Sequence, residues 1–264
     1  MRLGIVTGSG TYALPGFDGS ARTVRTPAGA VAVTEGELAG AELVHLSRHG
    51  PGHARLSSHV EHRANVLALR EAGVEAVLAV TVCGAVEPDI ALGSLIVFDE
   101  LHFPGNRLPS GELCSLFEPG QPGRGHWVFD KPFSEPLRAA LLAGARVAGE
   151  APPAREAGCY GHVDGPRFNS RSEIAMLAAC GVSAVSQTAG PETVLCGEAE
   201  LPYALLGYAT DYANGVHESP TPVAQLLRLI EASTVAFAVA LTEAVGRLAA
   251  APAPPPTGTV LRFD

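Results

Sequence analysis

The sequence predicts a single α/β domain built around a central sheet, and three observations carry that reading. The chain has 264 residues, 47% of them apolar and 17% charged, enough to bury a sizeable core in one large domain. Short β-branched runs recur along it, each bounded by Gly or Pro. Longer segments with apolar residues at helical spacing lie between them, and strands alternating with helices argue for a sheet with helices packed on it.

The strands are expected at LGIVTG (3–8), AVAVTEG (30–36), ELVHLS (42–47), AVLAVTVCG (76–84) and SLIVFDE (94–100). Further on come CYGHV (159–163), VSAVSQT (182–188) and PYALLGYAT (202–210). Val, Ile and Thr suit a pleated surface, and flanking turn residues end each run. HVEHRANVLALREAG (59–73) has apolar positions at Val60, Ala64, Val66, Leu67 and Leu69 and stops at Gly73, as a helix does. SEPLRAALLAGARVAG (134–149) opens on a Ser cap, and SRSEIAMLAACG (170–181) opens on Ser and closes on Gly. The longest helical pattern covers 221–250, with Pro222 suited to its first turn. LHFPGNRLPSGELCSLFEPGQPGRG (101–125) is a long Gly/Pro loop of the kind that forms lids or subunit contacts. AAAPAPPPTGTV (249–260) is Pro-rich and is expected to be extended or disordered. The domain is therefore placed at 1–248 and a C-terminal tail at 249–264, with no internal repeat.

A net charge of −9 excludes general nucleic-acid binding, which needs a basic face, but leaves room for a small anion in a local pocket. The five cysteines are widely spaced without a CxxC pair, so neither a zinc ribbon nor a disulfide framework is expected, and reduced thiols point to the cytoplasm. MRLGIVTGSG reads as a first strand rather than a signal peptide. No run of about 18 unbroken apolar residues occurs, so no membrane span is expected.

Five of the nine histidines fall between His45 and His62. His49 and His53 are four apart, but Gly50, Pro51 and Gly52 between them cannot hold the helix that a two-histidine zinc face requires. His59 and His62 fall on the expected helix at i, i+3, without an HExxH pattern, so no metal site is expected. An anion grip fits better. Arg48 and His49 follow a strand at its carboxyl end, where α/β ligands sit, and Arg is a fork-shaped donor for phosphate oxygens. TGSG (7–10) and TVCG (81–84) end two more strands in the same style, lacking the spacing of dinucleotide or triphosphate loops. Ordinary turns remain an equal reading of these strand ends on spacing alone.

GSG after the first strand, SRHG, HRANVLALREAGVEAVLAVTVCGAV, DGPRFNSRSE, SQTAGPE and ATDY occur in this order over residues 3–245. Together they resemble the methylthioadenosine phosphorylase branch of the trimeric purine nucleoside phosphorylases. The resemblance implies a mixed, twisted sheet partly closed into a barrel and flanked by helices, and a cytoplasmic homotrimer serving purine salvage. It implies phosphorolysis of a purine nucleoside to free base and ribose 1-phosphate, with inorganic phosphate as co-substrate and no metal or organic cofactor. Ser9, Arg48, His49 and Thr188, with a backbone amide near Val82, would hold phosphate. Asp211 would sit by purine N7 as the catalytic acid, which suits a carboxyl whose pKa burial raises. Phe168 would stack on the base, Asn169 would contact it, and Gln187 would lie beneath the ribose. His53, Val223 and Leu227 would line the 5′ pocket, with His126 reaching over from a neighbouring subunit.

The chain departs from the family pattern at three places. Ala213 replaces an acidic residue that reads a 6-amino group, Gln187 replaces a methionine, and Asp164 shortens a glutamate. The leading expectation is a 5′-methylthioadenosine or other 5′-deoxy-5′-substituted nucleoside phosphorylase. A 6-oxopurine or broad-specificity phosphorylase, a nucleosidase, a nucleoside-binding protein without turnover and a metal-dependent hydrolase are the alternatives. Within the histidine cluster, His45 is expected in the core and His59 and His62 on a helix surface or interface.

Overall fold

The β-branched runs become the interior of a ten-stranded mixed sheet. The computed structural model describes residues 1–149 and 152–264. The first strands are Arg2–Thr7 (β1), Gly19–Thr26 (β2), Gly29–Leu38 (β3), Ala41–Ser47 (β4), Ala76–Ala85 (β5) and Leu95–Val97 (β6). Glu100–His102 (β7), Arg124–Val128 (β8), Cys159–His162 (β9), Ala184–Ser186 (β10), Tyr203–Tyr212 (β11) and Thr259–Phe263 (β12) follow. The helices are His62–Glu71 (α1), Glu135–Ala148 (α2), Arg171–Ala179 (α3), Ala189–Glu198 (α4) and Val223–Ala249 (α5).

β5 is the hub. One of its edges pairs in parallel with β1 over residues 76–79 and then antiparallel with β10 at Gly84 and Ala85. The other edge pairs in parallel with β11. From β1 the sheet continues through β4 and β3 to β2, and from β10 through β9 to β7, while β6 borders β11. Alternate β5 residues serve opposite cores. Val77 and Ala79 join α1 and α4 residues such as Leu69 and Leu195, whereas Leu78 and Val80 join Leu141 of α2 and Phe237 of α5. A sheet covered on both faces needs apolar residues at every position, which is why these strands read as unbroken apolar runs. Each large side chain buried there contributes about 1.5–3 kcal/mol.

α2 and α5 meet backbone to backbone at Gly144, where a Cβ would run into the Ala240 carbonyl, so a side chain does not fit there. α5 is long and apolar enough to cross a membrane by length and composition alone. Here Phe237, Leu241 and Val245 pack on the sheet, while Val223, Leu227, Val235 and Val239 remain exposed. Ser170 caps α3 in a reciprocal box with Glu173, but the Ser134 side chain makes no capping bond to α2. Pro222 is the N-cap of α5 rather than part of its first turn.

Three expectations are corrected. α1 starts at His62, after short turns at Pro51–His53 and Ser57–His59, so His59 lies outside the helix. His62 is buried, not on the surface. The tail is ordered in part: α5 runs to Ala249, and Thr259–Phe263 returns to pair antiparallel with β8. Trp127 of β8 donates its indole N–H to the Thr257 carbonyl at 2.7 Å and lies against Gly197 of α4, where a Cβ would overlap the ring. The 101–125 loop is held to α1 by Arg63, whose guanidinium donates to the carbonyls of Ser115 and Leu113 and to the Glu112 carboxylate.

Candidate active site

The ends of β1, β4, β5, β10 and β11 open into one cavity of about 280 Å³. β1, β4, β5 and β11 run parallel and bring their carboxyl ends to the same side, and β10, antiparallel to β5, meets them at Gly84 and Ala85, so residues far apart in sequence converge there. Ser9 arrives from β1, Arg48 and His49 from β4, Val82 from β5, Gln187 and Thr188 from β10, and Asp211 from β11.

At one end Arg48 is 1% exposed. Its Nε and Nη2 donate to the two carboxylate oxygens of Glu192 at 2.6 and 2.8 Å, and Nη1 donates to the Val80 carbonyl at 2.8 Å. Glu192 also accepts from the Tyr203 hydroxyl at 3.1 Å. Burial alone would lower the Arg48 pKa, but the adjacent carboxylate reverses this and the net shift is upward. The cavity therefore meets a guanidinium whose charge is already matched and whose remaining N–H groups are donors. Gly8 makes room for it, since a Cβ there would overlap Nη1.

His49 stacks on His53, with ring centroids 4.1 Å apart. Its Nδ1 lies 2.8 Å from the Arg55 carbonyl, which can only accept, so Nδ1 carries the proton. Burial first, and the Arg48 charge second, push the His49 pKa down to about 4, so in the neutral ring Nε2 holds a lone pair. The His53 Nδ1 pairs with the Tyr12 hydroxyl at 3.1 Å. Thr188 is buried at the start of α4. The first amides of that helix, Thr188 and Ala189, donate to the Tyr160 hydroxyl at 3.4 and 3.1 Å.

At the other end a bulge in β11 turns Asp211 toward the cavity. Its Oδ1 accepts from the Thr210 hydroxyl at 2.9 Å. Burial raises its pKa, and the Thr210 bond only partly opposes this. Phe168 and Asn169 flank this end with Ala213 and Asn214. The Asn214 amide donates to the Asn169 carbonyl at 2.7 Å.

Between the two ends stands Gln187. Its Oε1 accepts from the Ser57 hydroxyl at 2.7 Å and its Nε2 donates to the Arg167 carbonyl at 3.0 Å. Leu56, Leu226 and Ile230 form an apolar wall beside His53.

Four of the residues singled out in the sequence lie elsewhere. Val223 and Leu227 are on the outer face of α5, 69% and 60% exposed, and Leu226 and Ile230 take the inward positions. The helix is apolar on both faces, so its phase could not be read. His126 is on β8, outside the lining of this cavity, and the exposed Asp164 is outside it as well. His45 is buried as expected, its Nε2 2.8 Å from the Thr7 hydroxyl. Among the described residues no group of three or more His, Cys, Asp or Glu side chains is placed to hold a metal ion. Glu192, Tyr160 and Ser57 were not foreseen. Glu192 had a signal, an acidic residue in SQTAGPE between apolar stretches; the other two had none.

Residues 2–246 match the model of the phosphorylase superfamily. The 6-oxopurine nucleoside phosphorylase of Pyrococcus furiosus is 31% identical over 240 residues, covering 87% of this chain and 86% of the relative. The S-methyl-5′-thioadenosine phosphorylase of Mycolicibacterium smegmatis is 35% identical over 218 residues, covering 82% of this chain and 79% of the relative. Among solved structures, methylthioadenosine phosphorylase from Schistosoma mansoni in complex with adenine superposes with a TM-score of 0.86 at 28% identity, covering 95% of this chain and 92% of that one.

Proposed function

This chain belongs to the phosphorylase superfamily, and from that premise we propose that it cleaves purine nucleosides by phosphorolysis, with a 5′-deoxy-5′-methylthio nucleoside as the preferred substrate. The observation that carries the reading is one cavity with two chemically different ends. Ser9, Arg48 and Thr188 supply donors for phosphate at one end, and a half-buried Asp211 whose pKa is raised stands at the other.

The transition state is a ribosyl cation between an anionic nucleophile and a departing purine. Catalysis then consists of holding phosphate below C1′ and neutralising charge that develops on the base. Arg48, pinned by Glu192, points fixed N–H groups at the phosphate. With Nδ1 committed to Arg55, His49 meets phosphate through Nε2. With the neutral ring's lone pair, that atom accepts a hydrogen bond from a protonated phosphate oxygen. Asp211 keeps its proton at a pH where an ordinary carboxyl has lost it and donates to purine N7. Phe168 covers the base and Asn169 contacts its edge. No metal or organic cofactor is required by this chemistry.

Leu56, Leu226 and Ile230 favour a methylthio group over a bare hydroxyl at the 5′ end. A 6-oxopurine nucleoside is the second reading, favoured by one observation: Ala213 leaves the base end with Asp211 as its acid, among the asparagine amides of Asn169 and Asn214. His126 lies outside this chain's cavity and would reach a 5′ substituent only from a neighbouring copy. With the exposed apolar row on α5, that supports a homotrimer. Five unpaired thiols support a cytoplasmic location, and the reaction class supports purine salvage.

The test is product analysis with 5′-methylthioadenosine, adenosine and inosine, each with phosphate present or omitted. Phosphate-dependent base release, fastest from 5′-methylthioadenosine and accompanied by the sugar 1-phosphate, is expected. Release without phosphate would make the protein a nucleosidase, and faster release from inosine would favour the second reading.

A further inference from the structure

Resting on the phosphorolysis reading, we propose that Gln187, held in place by Ser57, selects the sugar: its side-chain amide donates to the 2′-hydroxyl and so favours ribonucleosides over 2′-deoxyribonucleosides. Two bonds fix the amide's orientation. Oε1 accepts from the Ser57 hydroxyl at 2.7 Å and Nε2 gives one hydrogen to the Arg167 carbonyl at 3.0 Å. Turning the amide over would set its NH₂ against the Ser57 hydroxyl and its oxygen against the Arg167 carbonyl, losing the second bond outright. The fit is close, because a Cβ on Gly165 would overlap both Gln187 Oε1 and Ser57 Oγ.

One N–H of Nε2 remains, with no protein acceptor among the described residues, and Gln187 is on the cavity wall. Its place along the ligand follows from its neighbours. Thr188, next in the chain, belongs to the phosphate end. Arg167, whose carbonyl it binds, precedes the Phe168 and Asn169 of the base end. A side chain that joins these two ends stands beside C1′ and C2′. The 5′ carbon lies beyond, toward His53, Leu226 and Ile230. A 2′-hydroxyl offers this N–H an acceptor, whereas a 2′-deoxy sugar leaves it facing a methylene, with the water excluded.

The experiment compares kcat/KM for inosine against 2′-deoxyinosine, and for 5′-methylthioadenosine against its 2′-deoxy counterpart, in the unaltered protein and in Gln187→Leu and Ser57→Ala. The unaltered protein should prefer the ribonucleoside by about ten-fold or more, the size expected for one satisfied donor. Gln187→Leu should bring that ratio toward one by lowering the ribonucleoside value. Ser57→Ala, which keeps the donor but frees one end of the amide, should lower the ratio part of the way. If Gln187→Leu slows both sugars by the same factor, the amide is only a strut between Ser57 and Arg167 and the proposal is overturned. An unchanged ratio in both variants overturns it too. Failure of the underlying function would be seen earlier and differently, as no phosphate-dependent turnover of any nucleoside by the unaltered protein.

Discussion

Glu192→Gln isolates the charge of the buried pair, because the new side chain has nearly the same shape. Arg48 and Glu192 are 1% and 3% exposed and share two short bonds. Removing the carboxylate charge leaves a guanidinium buried without compensation, a change that costs about 3–5 kcal/mol where one partner of a buried pair is lost. For a chain of this size each kcal/mol lowers the melting temperature by roughly 2–4 °C, so a fall of about 6–20 °C is expected. Phosphate should reverse part of it. In the unaltered protein the anion meets an already neutralised pair, whereas in the variant it becomes the missing counter-charge. The ligand-induced rise in melting temperature follows RT ln(1 + [L]/Kd), so it should be larger in the variant than in the unaltered protein. The assay is thermal unfolding across a phosphate series with chloride holding the ionic strength constant. A variant that melts within about 2 °C of the parent, or gains no more from phosphate, would refute the reasoning.

Two further outcomes follow from the titrating groups. Burial raises the Asp211 pKa, so its acid form persists to higher pH than an ordinary carboxyl, and kcat/KM should fall as pH rises through that raised value. The fold is also penalised there, since the unfolded chain ionises first. Asp211→Asn should therefore melt higher than the parent at pH 8 while losing about 10²–10⁴-fold in kcat. A variant that melts lower there, or retains the alkaline fall in activity, would contradict this. Burial holds His45 and His49 near pKa 4 and His62 near 3. Unfolded, they take up protons near pH 6.5, so the unfolded state binds more protons between that pH and about 4 or 3, and stability falls on acidification through this window. At pH 5 each costs roughly 2 kcal/mol, together comparable with a domain's whole stability. Urea midpoints that match at pH 7 and pH 5 would count against it.

The central strands were legible because a sheet buried on both faces demands apolar residues at every position, and their glycine-bearing ends marked where Ser9, Arg48 and Val82 would emerge. Elements that depend on a distant partner were not. β2 is polar and Arg-rich at a sheet edge, and β8 finds its partner just past a proline-rich stretch whose composition says only extended or disordered. α4 begins Ala-Gly-Pro, a poor helical start, and is held by burial rather than propensity. Within the site, residue type and strand position pointed to Arg48 and His49 as an anion grip, whereas Thr188 and Asp211 entered only through the family resemblance. The 5′ wall failed by one helical step, because Val223–Leu227 and Leu226–Ile230 are both apolar i, i+4 pairs and tertiary packing alone decides which faces in. The Ser57–Gln187 bond joins two residues with no sequence pattern in common.

The strap formed by β8 and β12 has an optical consequence. Trp127 is the chain's single tryptophan. It is stacked on Phe129, bonded to Thr257 and pressed on the α4 glycine. Its emission therefore carries no background from a second indole. Lifting the strap would free its N–H to water and move its spectrum to longer wavelength. Because α4 runs from that contact to Thr188 at the cavity, the protein holds an intrinsic fluorescent gauge, readable without a label, of whether the helix behind its site is seated.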